Sequence, residues 1–350
     1  MDTLYRSVLK PILFRCNPDT VHNFFIVIGE FAGRFAFLRW IVGLFYNYHG
    51  TDISKTVDGI KYCTPIILAA GFDPNGNLTQ VLSSVSFGGE EVGSITAHPC
   101  EGNPRPWFRR LVRNKAIVVF KGLANLGVDE LIKKLSRTLR VRDFVVGISI
   151  ARTNSADASV DTEAGIRDYV ESFTKLNDAK IGDYYAINIS CPNAHTGETF
   201  TKPELLSQLL PRIKEVPCAK PIYIKMPINV SWEQFVSLAD IADKNGIQGL
   251  IIGNGNKHYE DLEYPEDAPK EFRGGLSGVP CRALSTELIK KTREKYGRRF
   301  TIIGVGGIMS SDDAIEKFAA GADLIQLISG MIFEGPGLMK EICERYAAMR

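Results

Sequence analysis

The sequence predicts an α/β fold, a closed (β/α)8 TIM barrel with an N-terminal helical extension, and three observations lead there. From residue 65 onward, eight short apolar, β-rich runs alternate with segments of helical periodicity. The 350 residues, 45% hydrophobic and 23% charged, can bury one large core. Glycines, amides and small polar residues recur just after nearly every run, where barrels of this kind build active sites. A doubly wound open sheet is the competing architecture, but no GxGxxG fingerprint opens the first run.

Residues 1–50 form a first segment and residues 51–350 the barrel. The first is rich in Phe and Tyr, with Trp40, lacks strand patterning, and reads as two short helices. Asn17-Pro18-Asp19-Thr20 is the expected break between them, because Pro18 cannot continue a helix and Asp19 can cap the next. Glu30, Arg34 and Arg39 interrupt every apolar stretch before it reaches bilayer length, so a spanning helix is not expected, and no cleaved targeting peptide is apparent. Two roles stay open for the pair: lying on a membrane surface, or capping the barrel with its apolar face.

The expected strands cover residues 65–70, 92–96, 144–150, 184–189, 221–226, 249–253, 301–306 and 323–329. The expected helices cover 128–138, 162–176, 202–213, 232–244, 283–295, 311–320 and 337–347. Net charge of +2, from 42 basic and 40 acidic residues, gives no field for nucleic acid. Seven scattered cysteines without a CxxC pair argue against a disulfide framework or a metal site, and for a reducing compartment.

Chemistry is expected where Ala186-Ile187-Asn188-Ile189 runs into Ser190-Cys191-Pro192-Asn193. Two amides and a thiol within six residues offer donors, acceptors and one proton-accepting group to a planar substrate. A cysteine beside an apolar run is ordinarily buried and inert; its company favours catalysis. Gly306-Gly307 and Ser329-Gly330 leave bare amides after the last two strands, where barrels commonly hold phosphate. Lys225 ends an apolar strand, so it either pairs with a phosphate-bearing, electron-accepting cofactor or reaches out to solvent. Gly274 to Gly278 reads as a flexible, amide-rich loop able to wrap a cofactor.

These stretches, with Leu68-Ala69-Ala70-Gly71-Phe72-Asp73, Glu101-Gly102-Asn103-Pro104-Arg105-Pro106, Asn125-Leu126-Gly127-Val128-Asp129 and Ile303 to Ile308, together resemble the dihydroorotate dehydrogenases. The N-terminal helices, with Asn17-Pro18-Asp19 and His22, resemble the membrane-associated class 2 enzymes that use quinone. The resemblance implies FMN at the barrel mouth, contacted by Ala70, Gly71, Ser94, Ser149, Asn188, Lys225, Gly253, Gly278, Gly306, Gly307, Ser329 and Gly330. It implies Cys191 as catalytic base and Asn188, Asn193 and Asn254 as substrate ligands. It also implies a quinone site at His22 and Arg110, peripheral membrane contact through residues 1–50, and a cytoplasmic location on the membrane.

The departures are specific. Cys191 stands where class 2 enzymes usually have serine, as in class 1, and a thiol needs less help to ionise than a hydroxyl. Pro74 replaces the family's lysine, Val119 a substrate-binding asparagine, Gly255 a threonine and Ser149 a flavin-contacting asparagine. Arg152, Lys121 and His98 are the cations able to restore the lost charge. Three readings follow: dihydroorotate oxidation with quinone as acceptor, an oxidoreductase of this fold with another substrate, or a non-catalytic flavin-binding protein.

Overall fold

A computed structural model describes residues 4–154, 161–191, 199–270 and 274–349. A hairpin of β1 (Lys55–Val57) and β2 (Ile60–Tyr62) leads into the barrel, which opens with β3 (Ile66–Leu68) and β4 (Gly89–Ile95). After a side sheet begun by β5 (Phe108–Leu111) and β6 (Ala116–Val119), it continues through β7 (Val145–Ile150), β8 (Tyr184–Asn188), β9 (Ile222–Met226) and β10 (Gly249–Ile252). The short β11 (Gly275–Gly278) returns to the side sheet, and β12 (Thr301–Val305) and β13 (Leu324–Leu327) complete the barrel. All eight barrel strands are parallel, and β13 pairs with β3 to close the ring.

Period-two alternation sorts each strand between two cores. Along β8, Tyr185 and Ile187 join the core under the surrounding helices, whereas Tyr184 and Ala186 face the barrel interior. On β9, Ile222, Ile224 and Met226 take the outer face and Tyr223 the inner one, so Lys225 points inward by the same period. Tyr62 and Val57 of the hairpin join Tyr184 and Tyr223 in a plug at the amino ends of the strands. Gly147 makes room for it, since a Cβ there would come within 2.0 Å of the Tyr184 ring.

The outer ring consists of helices Val128–Arg137, Thr162–Asp178, Pro203–Lys214, Trp232–Lys244, Arg282–Tyr296, Ser311–Ala319 and Leu338–Ala347. Their ends fall within two residues of expectation, and Ser231 and Ser310 accept the amides of Gln234 and Asp313 as N-caps. The second barrel strand begins three residues earlier than its sequence suggested, because Glu90 and Glu91 look like loop residues yet are buried in β4. Gly275–Gly278 is not a flexible loop: it is strand β11, paired antiparallel with β6.

The N-terminus also differs from expectation. It contains Lys10–Arg15, Pro18–Arg34 and Ala36–Tyr46, so extended backbone at Phe35 splits the expected second helix. Asn17, not Asp19, is the N-cap, accepting the amides of Asp19 and Thr20. Asp19 instead turns inward and accepts Trp107 N and Phe108 N, each at 3.0 Å. That carboxylate, together with Tyr5 Oη donating to Ile332 O at 2.6 Å, fixes the helices across the carboxyl ends of the barrel strands. Among the described residues no helix is long and apolar enough to cross a membrane.

Candidate active site

The carboxyl ends of the strands open into a cavity of about 440 Å³, roofed by the N-terminal helices. Its floor follows from the inward alternation described above. Lys225 does not reach solvent. It lies 3.5 Å from Glu91 Oε1, with 6% and 0% of the two side chains exposed. Glu91 Oε2 accepts from Gln326 Nε2 at 2.7 Å and Tyr184 Oη at 3.2 Å, which satisfies a carboxylate inside the barrel. The expectation that a cofactor supplies the partner of Lys225 is therefore corrected: its charge is already balanced from β4, and its other side borders the cavity. Next to Glu91, Glu90 points the opposite way; burial, then the nearby Asp73 charge, holds its carboxyl well above the usual range.

Above this floor the amides are fixed. Asn188 Nδ2 donates to Ser94 Oγ at 2.8 Å, and Ser94 Oγ lies 2.7 Å from Ser149 Oγ. Asn254 Nδ2 donates to Ser190 Oγ at 2.7 Å and to Asn188 Oδ1 at 3.3 Å. Ser190 Oγ in turn donates to the Lys225 carbonyl at 2.9 Å. The network leaves Asn188 one amide hydrogen for a ligand. Cys191, half-buried at the end of this run, borders the same cavity. Asn193 lies outside the described residues.

At the other end, Gly278, Gly306, Gly307, Ser329 and Gly330 surround a concave wall. Gly306 and Gly307 have φ of 111° and 73°, and a Cβ on Gly307 would strike Arg282 Cβ at 2.3 Å. Only glycine fits there, so the backbone amides stay uncovered on the cavity side. Ser277 Oγ and Ser329 Oγ stand 2.8 Å apart, and the first-turn amides of Ser329 and Gly330 have no acceptor within their own helix. These donors suit a phosphate. Across the mouth, Gly71 has φ of 109° and open space where a Cβ would point, which leaves room for a flat ring system.

Thus one cavity gathers Cys191, Asn188, Asn254 and Lys225 on its floor, and Ala70, Gly71, Ser94 and Gly253 around its mouth. Ser149 is the exception: it lies beneath, fully buried, and acts on the cavity only through Ser94. His22 and Arg110 line the roof. His22 packs between Phe72 and Phe108 at 4.8 and 5.2 Å, and burial, then the charge of Lys121, holds its pKa down to about 3. It is neutral at physiological pH. Arg110 Nη1 donates to the carbonyls of Leu13 and Cys16, which pins the first helix to β5. Glu91 and Ser190 were missed in the sequence. Glu91 could have been found by counting back two residues at a time from Gly93, which puts it on the inward face.

A closed barrel with a deep cavity at the carboxyl ends of its strands is the architecture of a (β/α)8-barrel enzyme. The family model described as dihydroorotate dehydrogenase matches residues 52–349. A dihydroorotate dehydrogenase (quinone) of Thermosynechococcus vestitus is 32% identical, covering 97% of this chain and 94% of that protein. One of Christiangramia forsetii is 33% identical, covering 98% of each. In fold, the chain is similar to a crystal structure of DHODH from Eimeria tenella in complex with ferulenol, with TM-score 0.78 and 24% identity over 95% of this chain and 91% of that one. The chain belongs to the dihydroorotate dehydrogenase family.

Proposed function

We propose that this chain is an FMN-dependent dihydroorotate dehydrogenase that oxidises dihydroorotate to orotate in pyrimidine biosynthesis and passes the electrons to a quinone. The observation that carries the reading is the single cavity joining a thiol and two oriented amides to a glycine-lined anion wall, in a chain of this family. FMN, when bound, would supply a hydride acceptor, and the amides of Gly306, Gly307, Ser329 and Gly330 would hold its phosphate. Cys191 Sγ takes the proton from the substrate carbon, a role for which a thiol is well matched near neutral pH. Asn188 and Asn254 hold the pyrimidine edge, their side chains locked by Ser94 and Ser190. Asn193 is proposed as a third ligand. Lys225, paired with Glu91 and bordering the cavity, would favour the reduced form of the bound flavin.

The acceptor site we propose is at the roof, beside His22 and Arg110. The neutral His22 and the rings of Phe72 and Phe108 suit a quinone, and the curated relatives are named quinone enzymes. Residues 1–50 act as the membrane and quinone-access segment of a peripheral, cytoplasmic-face protein, and residues 51–350 as the FMN-binding barrel. Their bare outer surface supports this: Val27, Phe37 and Trp40 are 64%, 66% and 59% exposed. One observation favours a second reading, an uncharged dihydropyrimidine as substrate: Pro74, Val119 and Gly255 all line the cavity and offer no side-chain donor. Steady-state orotate formation with a soluble quinone analogue as sole acceptor tests the first reading. Absence of orotate, with turnover of an uncharged dihydropyrimidine, would select the second.

A further inference from the structure

Among the described residues, four basic side chains line the cavity, His22, Arg110, Lys121 and Lys225, and no Asp or Glu does. Three of the four are already committed. His22 is neutral, Arg110 is held by two carbonyls, and Lys225 is paired with Glu91. Lys121 is different. It is 9% exposed, yet its ammonium makes no hydrogen bond and no ion pair among the described residues. Its neighbours are the faces of Trp107 and Phe108, at 5.7 and 6.0 Å. Of the cations that the sequence offered, His98 is exposed and Arg152 is not on the cavity wall.

The groups facing Lys121 cannot neutralise it at contact distance. On helix Pro18–Arg34, Asp19 spends both oxygens on Trp107 N and Phe108 N, and His22 is uncharged. After β3, Asp73 is occupied by Asn75 N, Asn77 Nδ2 and Leu78 N. Arg105, before β5, repels it. The result of burial, partly offset by Asp73 and then Asp19, is an ammonium whose pKa is pulled down to about 8. Such a group is costly to leave unpaired and gains most from an anion arriving through the cavity.

That anion is not the phosphate already assigned to the glycine wall. Gly278 is paired with Ala116 at one end of β6, whereas Gly275 is paired with Val119 at the other. Lys121 lies two residues further on. Five residues of extended chain separate it from the cradle by roughly 15 Å. We propose that Lys121 is the carboxylate-binding residue of the electron-donating substrate, and hence the residue that selects an anionic dihydropyrimidine over an uncharged one. This rests on the functional reading above.

The test uses FMN-loaded protein titrated with orotate and with uracil, followed by the change in flavin absorbance on ligand stacking. Lys121→Met is expected to weaken orotate binding roughly tenfold to a hundredfold, the loss of one charge-assisted contact. Uracil binding and the KM for the quinone should not change, and Lys121→Arg should recover part of the orotate affinity. In the wild type, orotate affinity should fall as pH rises above about 8, where the ammonium deprotonates, and Lys121→Met should lack that fall. If Lys121→Met binds orotate as the wild type does, or loses orotate and uracil equally, or changes only the quinone KM, the assignment is overturned. A wild-type protein that binds neither pyrimidine overturns the functional reading and this assignment together.

Discussion

The barrel and the N-terminal helices carry similar apolar side chains and use them in opposite ways. Every residue of β7, β8, β9, β10 and β13 is buried. In helices Pro18–Arg34 and Ala36–Tyr46 the buried residues are Asp19, Gly33 and Gly43, while Phe31, Phe37 and Trp40 face outward. The barrel hides its hydrophobic groups and spends its polar ones at one mouth. The helices do the reverse, anchoring through the Asp19 carboxylate and leaving an apolar side exposed. On the function proposed above, the difference separates the tasks: chemistry belongs to the barrel and delivery of the acceptor to the helices.

Cys191→Ala should break the barrel side of this division most severely. Flavin reduction by dihydroorotate is expected to slow by about 10²–10⁴, the usual contribution of a positioned base, with FMN content unchanged. A rate within tenfold of wild type would remove the thiol from the mechanism. Lys225→Met attacks the same floor through its electrostatics. It leaves the Glu91 carboxylate without its cation at a buried site, and denaturant unfolding should show a loss of about 3–5 kcal/mol.

The helices predict the opposite pattern. Combining Phe31→Glu, Phe37→Glu and Trp40→Glu should reduce partitioning onto lipid vesicles by about a thousandfold or more, since each burial is worth roughly 1.5–3 kcal/mol. Dihydroorotate-driven flavin reduction and thermal stability should be unaffected. Unchanged vesicle binding would return the helices to the role of a simple cap.

The smallest effect concerns the seam between the two regions. His22 titrates near 6.5 in the unfolded chain but only near pH 3 when folded, so between those values the unfolded state binds more protons. Stability should therefore fall as pH drops through that window. Between pH 6.5 and 4, His22→Phe should lose about 2–3 kcal/mol less than wild type in chemical unfolding. Parallel pH profiles would show that His22 is solvated and that the seam is loose.

Much of this was legible in the residues themselves. Strands rich in Val, Ile and Tyr and helices of even periodicity announce the alternation, and the glycine and amide turns fall where the barrel brings them together. What was hidden depended on long-range pairing. Glu90 and Glu91 read as solvated until one is seen buried near Asp73 and the other meets Lys225 from across the barrel. Gly274 to Gly278 looks like a loop because its strand character comes only from β6. Asp19 has the sequence signature of a cap, and only the approach of the Trp107-Phe108 backbone shows that it holds two regions together.

The central claim is that the thiol, the amides and the flavin cradle form one reaction chamber. Anaerobic mixing of the FMN-loaded protein with dihydroorotate tests it most directly. One equivalent should bleach the flavin absorbance and release one equivalent of orotate. Flavin that stays oxidised in excess dihydroorotate would contradict it.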